Sequence, residues 1–181
     1  MDLETEFREL SAAETVFYLR LGLQLEVISL PDVSDWVDAV LLRDEAPETL
    51  LVELYVLLRT NRQQVLGYLS QLFPATERYT VRPALAWLQQ QLANNTGALG
   101  QVLRALYRLR LLVSSEVEVG WIYGLAADYE RSAPGPSESL QEVYLDTAAF
   151  LACYQDYTFA NRSQWLYLDA VLEQRLASLR P

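Results

Sequence analysis

The stretch SAAETVFYLRLGLQLEVISLPDVSDWVDAVLLR, residues 11–43, decides the fold class. Ser11 and Glu14 stand in the spacing of a capping box, where each side chain accepts a hydrogen bond from the other's backbone N–H at a helix start. Val16, Leu19 and Leu23 then recur at three- and four-residue steps, the period of one helical face. Pro31 and Asp32 suit the first turn of a second helix. Proline costs little there, and an acid meets the positive end of the helix dipole. Leu30, Val33, Val37, Val40 and Leu41 fall on one face of that helix.

The same grammar carries outward. Pro47 opens a third helix with Leu50, Leu51, Leu54, Leu57 and Leu58 inside, and Thr60 or Asn61 starts a fourth that Pro74 ends. Pro83 opens a fifth through Trp87, Leu88 and Leu92, and the run Asn94 to Gly97 reads as a turn. A helix over 98–113 follows. Ser115 with Glu118 repeats the capping box for a helix reaching Arg131, and residues 132–137 form the clearest internal loop. Two long helices, 138–157 and 162–179, close the chain. The expectation is an all-α protein, one compact domain over 1–181 with eight or nine helices, arranged as stacked helical hairpins or a bundle.

Composition narrows the chemistry. The chain has 181 residues with no histidine, and all 14 basic residues are arginine. Without histidine there is no Ser-His-Asp or Cys-His nucleophile system and no histidine-ligated zinc, haem or Glu-x-x-His di-iron site. Without lysine there is no Schiff base and no P-loop. Cys153 stands alone, so no internal disulfide forms, and its apolar flank reads as a buried, inert thiol. The absence of lysine fits either a GC-rich genome or selection against a lysine-directed modification. The acidic N-terminus is unlike a signal peptide, and no run of about 18 uncharged apolar residues occurs. A cytoplasmic protein with no cofactor and no membrane contact is expected.

Charge is segregated along the chain. Residues 1–53 carry 13 acids against 3 arginines, residues 54–113 one acid against 7 arginines, and residues 114–181 ten acids against 4 arginines. Asp32, Asp35 and Asp38 step along one helix, and Asp44, Glu45 and Glu48 continue the run. Such an array steers a basic partner toward it, with Trp36 as an apolar anchor if exposed. The alternatives are a solvated helix face or pairing with the chain's own arginines. Arg104 and Arg108, one turn apart with Tyr107 between, read as a small-anion site or as partners for those acids. With Arg110 nearby they make three arginines, too small a footprint for nucleic acid in a chain of net charge -10.

Three further patterns bear on function. Gly120 and Gly124, one turn apart with Ala127 extending the small face, read as a close helix crossing within the domain, or alternatively a dimer seam. Tyr154, Tyr157 and Trp165 belong to an aromatic-rich end that suits either the rim of a core or a self-association surface, with Phe159 beside them. Glu6 with Glu9 and Glu45 with Glu48 match the first half of the paired-carboxylate magnesium motif of all-helical nucleotide pyrophosphohydrolases. The second half is missing, because Glu77 is the one acid between residues 54 and 113. No enzyme and no metal site are expected; a carboxylate- and magnesium-dependent hydrolase is the alternative.

Gly22-Leu23, Val33 with Trp36 and Asp38, Pro47, and Leu51 with Glu53-Leu54 form a run over about residues 20–58. It resembles small bacterial all-helical proteins, uncharacterised families some of whose members look like immunity partners of toxins. The resemblance implies a bacterial, cytoplasmic, non-enzymatic helical protein of immunity type, and the acidic array makes a basic effector its expected partner. The expected partner surface is therefore Asp32, Asp35, Trp36, Asp38, Asp44, Glu45 and Glu48. A self-associating scaffold or adaptor and a small-anion or nucleotide-binding helical protein are the alternatives.

Overall fold

Ser11 and Glu14 form the expected box: the Ser11 hydroxyl oxygen accepts from the Glu14 N–H at 3.3 Å, and the Glu14 carboxylate accepts from the Ser11 N–H at 3.0 Å. The helix they open runs from Ala12 to Leu25. The computed structural model describes residues 2–44, 48–72, 79–113, 115–133 and 137–179. Among the described residues there are ten α-helices and no strand, one helix more than the upper expectation. None is long and apolar enough to cross a membrane. The helices group into two compact units, Met1–Tyr79 and Thr80–Pro181.

The first unit contains α1 (Leu3–Phe7), α2 (Ala12–Leu25), α3 (Leu30–Arg43), α4 (Thr49–Leu57) and α5 (Arg62–Leu72). The uncounted helix is α1. It is a single turn and a half, capped by the Asp2 carboxylate, which accepts from the Thr5 N–H at 3.3 Å, and it buries Leu3 and Phe7. A capping box also opens α3, one residue pair earlier than its proline, with Ser29 and Asp32 as partners. Asn61 caps α5, its side-chain oxygen accepting from the Gln64 N–H at 3.0 Å. α2 packs on α5, and α3 on α1 and α4. Val33, Val37 and Leu54 are fully enclosed, as are Leu23, Val65 and Leu69. Leu30 and Leu41 are only half-buried. Each enclosed aliphatic side chain contributes about 1.5–3 kcal/mol. Pro47 and Pro74, assigned to a helix start and a helix end, lie outside the described residues.

At the end of α2 the chain turns back on itself. Glu26 adopts the left-handed conformation, φ 64°, and the N–H groups of Val27 and Ile28 donate to the Gly22 carbonyl. Ile28 then lies directly on Gly22, with its Cγ1 2.6 Å from where a Cβ would stand. Glycine is required there for close approach.

The second unit contains α6 (Arg82–Asn94), a 3-10 turn at Thr96–Ala98, α7 (Leu99–Leu109), α8 (Glu116–Ser132), α9 (Ser137–Ala152), a 3-10 segment at Phe159–Gln164 and α10 (Trp165–Ser178). α6 packs on α7 and α9, α7 on α8, and α8 on α9 and α10. Leu85, Leu88, Val102, Phe150 and Leu151 are fully enclosed. Three elements are shorter than their hydrophobic period suggests. α7 stops at Leu109, where Leu112 N–H bonds back only three residues, leaving Leu111 and Leu112 exposed. α9 stops at Ala152, where Cys153 and Tyr154 likewise bond three residues back, the tightening that closes many helices. α10 begins at Trp165, after a box formed by Thr158 and Asn161 has opened the 3-10 segment. The break assigned to 132–137 falls between α8 and α9, with residues 134–136 outside the described part.

The glycine pair of α8 is not a close crossing. Gly120 and Gly124 are exposed, and nothing lies within 4 Å of a Cβ built on either. α8 instead turns Glu118, Ile122 and Leu125 inward.

Candidate partner-binding surfaces

The aspartates of α3 divide into separate roles. Asp32 belongs to the helix start: its carboxylate accepts from the Ser29 N–H at 2.9 Å and from the Ser29 hydroxyl at 2.5 Å. Partial burial raises its pKa, but those hydrogen bonds outweigh it and hold the carboxyl below its ordinary value. Asp35 and Asp38 are exposed, and neither has an ion-pair partner among the described residues. Asp44 caps the end of α3 and is met by its neighbour, with Arg43 Nε 3.1 Å from its carboxylate. The same guanidinium reaches Glu4 at 2.5 Å. Glu48 is exposed at the start of α4 and makes no cap hydrogen bond. Glu45 lies outside the described residues.

Trp36 is half-buried and packs edge-on against Phe7, ring centres 5.6 Å apart. It lines a groove of about 240 Å³ with Phe7, Arg8, Val40 and Glu48. The apolar side chain that stands out on α3 is Leu42, 89% exposed. Residues 35, 38 and 42 share one helical face by spacing. The sequence holds the signal, a leucine seven residues after Asp35, but a leucine beside Leu41 reads naturally as core.

In the second unit the aromatic end is interior. Tyr154 and Tyr157 are 0% and 1% exposed, so they offer no self-association surface. Their hydroxyls are spent on acids: Tyr154 donates to Glu118 at 2.9 Å and Tyr157 to Asp169 at 2.8 Å. Burial, then Glu118, pushes the Tyr154 hydroxyl far above the ordinary tyrosine value; burial, then the bond to Asp169, does the same for Tyr157. Trp165 is half-buried and donates its indole N–H to the Thr158 carbonyl at 3.0 Å. The aromatic and leucine that do face outward on α10 are Tyr167, 68% exposed, and Leu166, 84% exposed.

These bonds belong to a polar network that links α6, α8, the segment after α9, and α10. Glu118 is buried, and its carboxylate sits 3.7 Å from Arg82 Nε as well as accepting from Tyr154. Arg82 also pairs with Asp169 and lies over the Tyr157 ring. Half of the second capping box is thereby overturned. Ser115 does accept from the Glu118 N–H, at 3.5 Å, but the Glu118 side chain turns inward instead of back to Ser115. The network has the satisfied geometry of a structural element, and Cys153 beside it is a buried thiol that burial pushes up.

Arg104 and Arg108 are exposed on α7. With Tyr107, Tyr123 and Tyr129 they line a groove of about 580 Å³ between α7 and α8. Among the described residues no group of three or more carboxylates and thiols is placed to hold a metal ion. Comparison with protein-family models, curated proteins and solved structures returned no match.

Proposed function

We propose that the chain is a non-enzymatic protein-binding module whose first unit docks a basic partner on the outer face of α3. The observation that carries this reading is the pairing of Asp35 and Asp38, exposed and without ion-pair partners among the described residues, with Leu42 at 89% exposure. Two like charges one turn apart repel slightly, and an exposed leucine one turn beyond them gains nothing from water. A partner with cationic side chains around an apolar contact relieves both. Masking the basic surface of an effector, as the immunity partner of a toxin does, is the finer form of this reading.

The test is capture of proteins from the source lysate on the immobilised chain at low and high salt, beside the Asp35→Asn/Asp38→Asn and Leu42→Ser variants. A basic protein held by the parent at low salt, released at high salt and lost with either variant is the expected result. Equal retention by parent and variants excludes this face. A second reading, self-association, is favoured by Leu166 and Tyr167 on the outside of α10. Sedimentation across a concentration series checks it, and a strict monomer removes it.

A further inference from the structure

The groove between α7 and α8 is independent of the acidic face. Its volume, about 580 Å³, lies in the range of small-molecule sites and is far larger than a bare ion needs. Its polar groups converge. A Cβ built on Gly100 would stand 2.5 Å from the Tyr129 hydroxyl oxygen and 3.7 Å from a guanidinium nitrogen of Arg104. One donor from each helix therefore gathers beside a single point of α7, and the missing side chain at Gly100 makes the room that the Tyr129 phenol occupies. Neither Arg104 nor the Tyr129 hydroxyl has a hydrogen-bond or ion-pair partner among the described residues. Arg108 stands one turn further along, and Glu130 is the acid among the lining residues. Two arginines against one acid favour an anion, and a hard cation has no ligand set here.

The other half of the groove is aromatic. Tyr107 and Tyr123 are 41% and 48% exposed and meet edge to face at 5.8 Å. Arg110 braces them: its guanidinium lies 3.6 Å over the Tyr107 ring, and its Nε donates to the Tyr123 hydroxyl at 3.2 Å. Leu103, Ala126 and Ala127 add small apolar lining. Gly100 and Tyr107 are seven residues apart on one helix, which is about 10 Å along its axis. The anion-facing point and the ring-facing wall are thus separated by the length of a mononucleotide or a biphenyl acid.

We propose that this groove binds a planar aromatic anion. The anionic group, phosphate or carboxylate, meets the Arg104 guanidinium and the Tyr129 hydroxyl from the groove side, and the ring system lies against the Tyr107–Tyr123 pair. A guanidinium fork and a hydroxyl suit either anion, and tyrosine faces suit a ring without demanding one identity.

Calorimetric titration of the full chain with adenosine monophosphate and with biphenyl-4-carboxylate tests the proposal. Their neutral counterparts, adenosine and biphenyl-4-carboxamide, and inorganic phosphate serve as controls. Saturable binding of one anion per chain is expected, at least tenfold tighter than its neutral counterpart and than phosphate alone. Whichever acid binds identifies the source of the charge. Arg104→Gln and Tyr129→Phe each weaken binding at least about tenfold, the loss expected for a hydrogen bond to an ionised group. Both positions are at the groove surface, and an unchanged far-UV spectrum verifies the fold. No saturation with a Kd below about 1 mM, equal binding of the neutral counterparts or of bare phosphate, or full affinity in Arg104→Gln overturns the proposal.

Discussion

Removing the carboxylate of Glu118 destabilises the second unit, and the size of the loss depends on what replaces it. The side chain is 2% exposed, accepts from Tyr154 at 2.9 Å and lies 3.7 Å from Arg82 Nε. At an effective dielectric of about 20 the Glu118–Arg82 attraction is of the order of 4 kcal/mol. Desolvation of the buried acid offsets most of it. Glu118→Gln keeps the volume and an acceptor for Tyr154, and it loses the charge, so its cost is about 1–2 kcal/mol. Glu118→Ala strands the Tyr154 hydroxyl, which is itself 0% exposed, removes one partner of Arg82 and leaves a void. That variant costs about 3–5 kcal/mol. Urea unfolding followed by tryptophan fluorescence reports it well, since Trp87, Trp121 and Trp165 lie in the second unit and Trp36 alone in the first. Tyr154→Phe completes a double-mutant cycle, with a coupling to Glu118→Ala of at least about 1 kcal/mol. A loss under about 0.5 kcal/mol in Glu118→Ala, or strict additivity in the cycle, refutes the network.

Two further predictions concern stability. Gly22→Ala drives a Cβ into Ile28 and is expected to cost about 1–3 kcal/mol, whereas Gly120→Ala and Gly124→Ala, which meet open space on a helix, stabilise by about 0.5–1 kcal/mol each; thermal melts of the three variants show opposite signs if the packing is right. Alkaline pH acts through the tyrosines: the folded state holds the Tyr154 and Tyr157 hydroxyls protonated well above the ordinary value and Tyr68 at about 12, where partial burial and Glu53 raise it. An unfolded chain ionises all three near pH 10, so it binds fewer protons above that pH, and their stabilisation, intact below about pH 10, is lost as pH rises toward the folded values. Absorbance of ionised tyrosine should lag for these residues until unfolding, and a titration in which all 11 tyrosines ionise together near pH 10 contradicts their burial.

The sequence by itself determined the elements. Ser11 with Glu14, Pro31 beside Asp32, Asn61 and Pro83 each mark a helix start because capping and proline chemistry is local: the partners lie within four residues. The buried faces of α3 and α6 were legible for the same reason, since a helical period assigns a face without reference to its neighbour. The exposure of Asp35 and Asp38 follows from their place opposite Val33 and Val37 on that helix.

What only the tertiary structure decided is the destination of side chains that have two satisfactory partners. Glu118 suits a cap and a buried tyrosine equally by spacing; Tyr154, 36 residues away, decides between them. Tyr154 and Tyr157 suit the rim of a core and a surface alike by sequence, and the acceptors Glu118 and Asp169 are what satisfy their buried hydroxyls. Gly22 and Gly120 are indistinguishable in sequence, yet Ile28 folds onto one and nothing meets the other. The convergence of Arg104 with Tyr129 over Gly100 is likewise a property of two helices at once. Local hydrogen bonds and periodicity are written within a few residues of chain, whereas a contact between helices depends on where the packed core brings them.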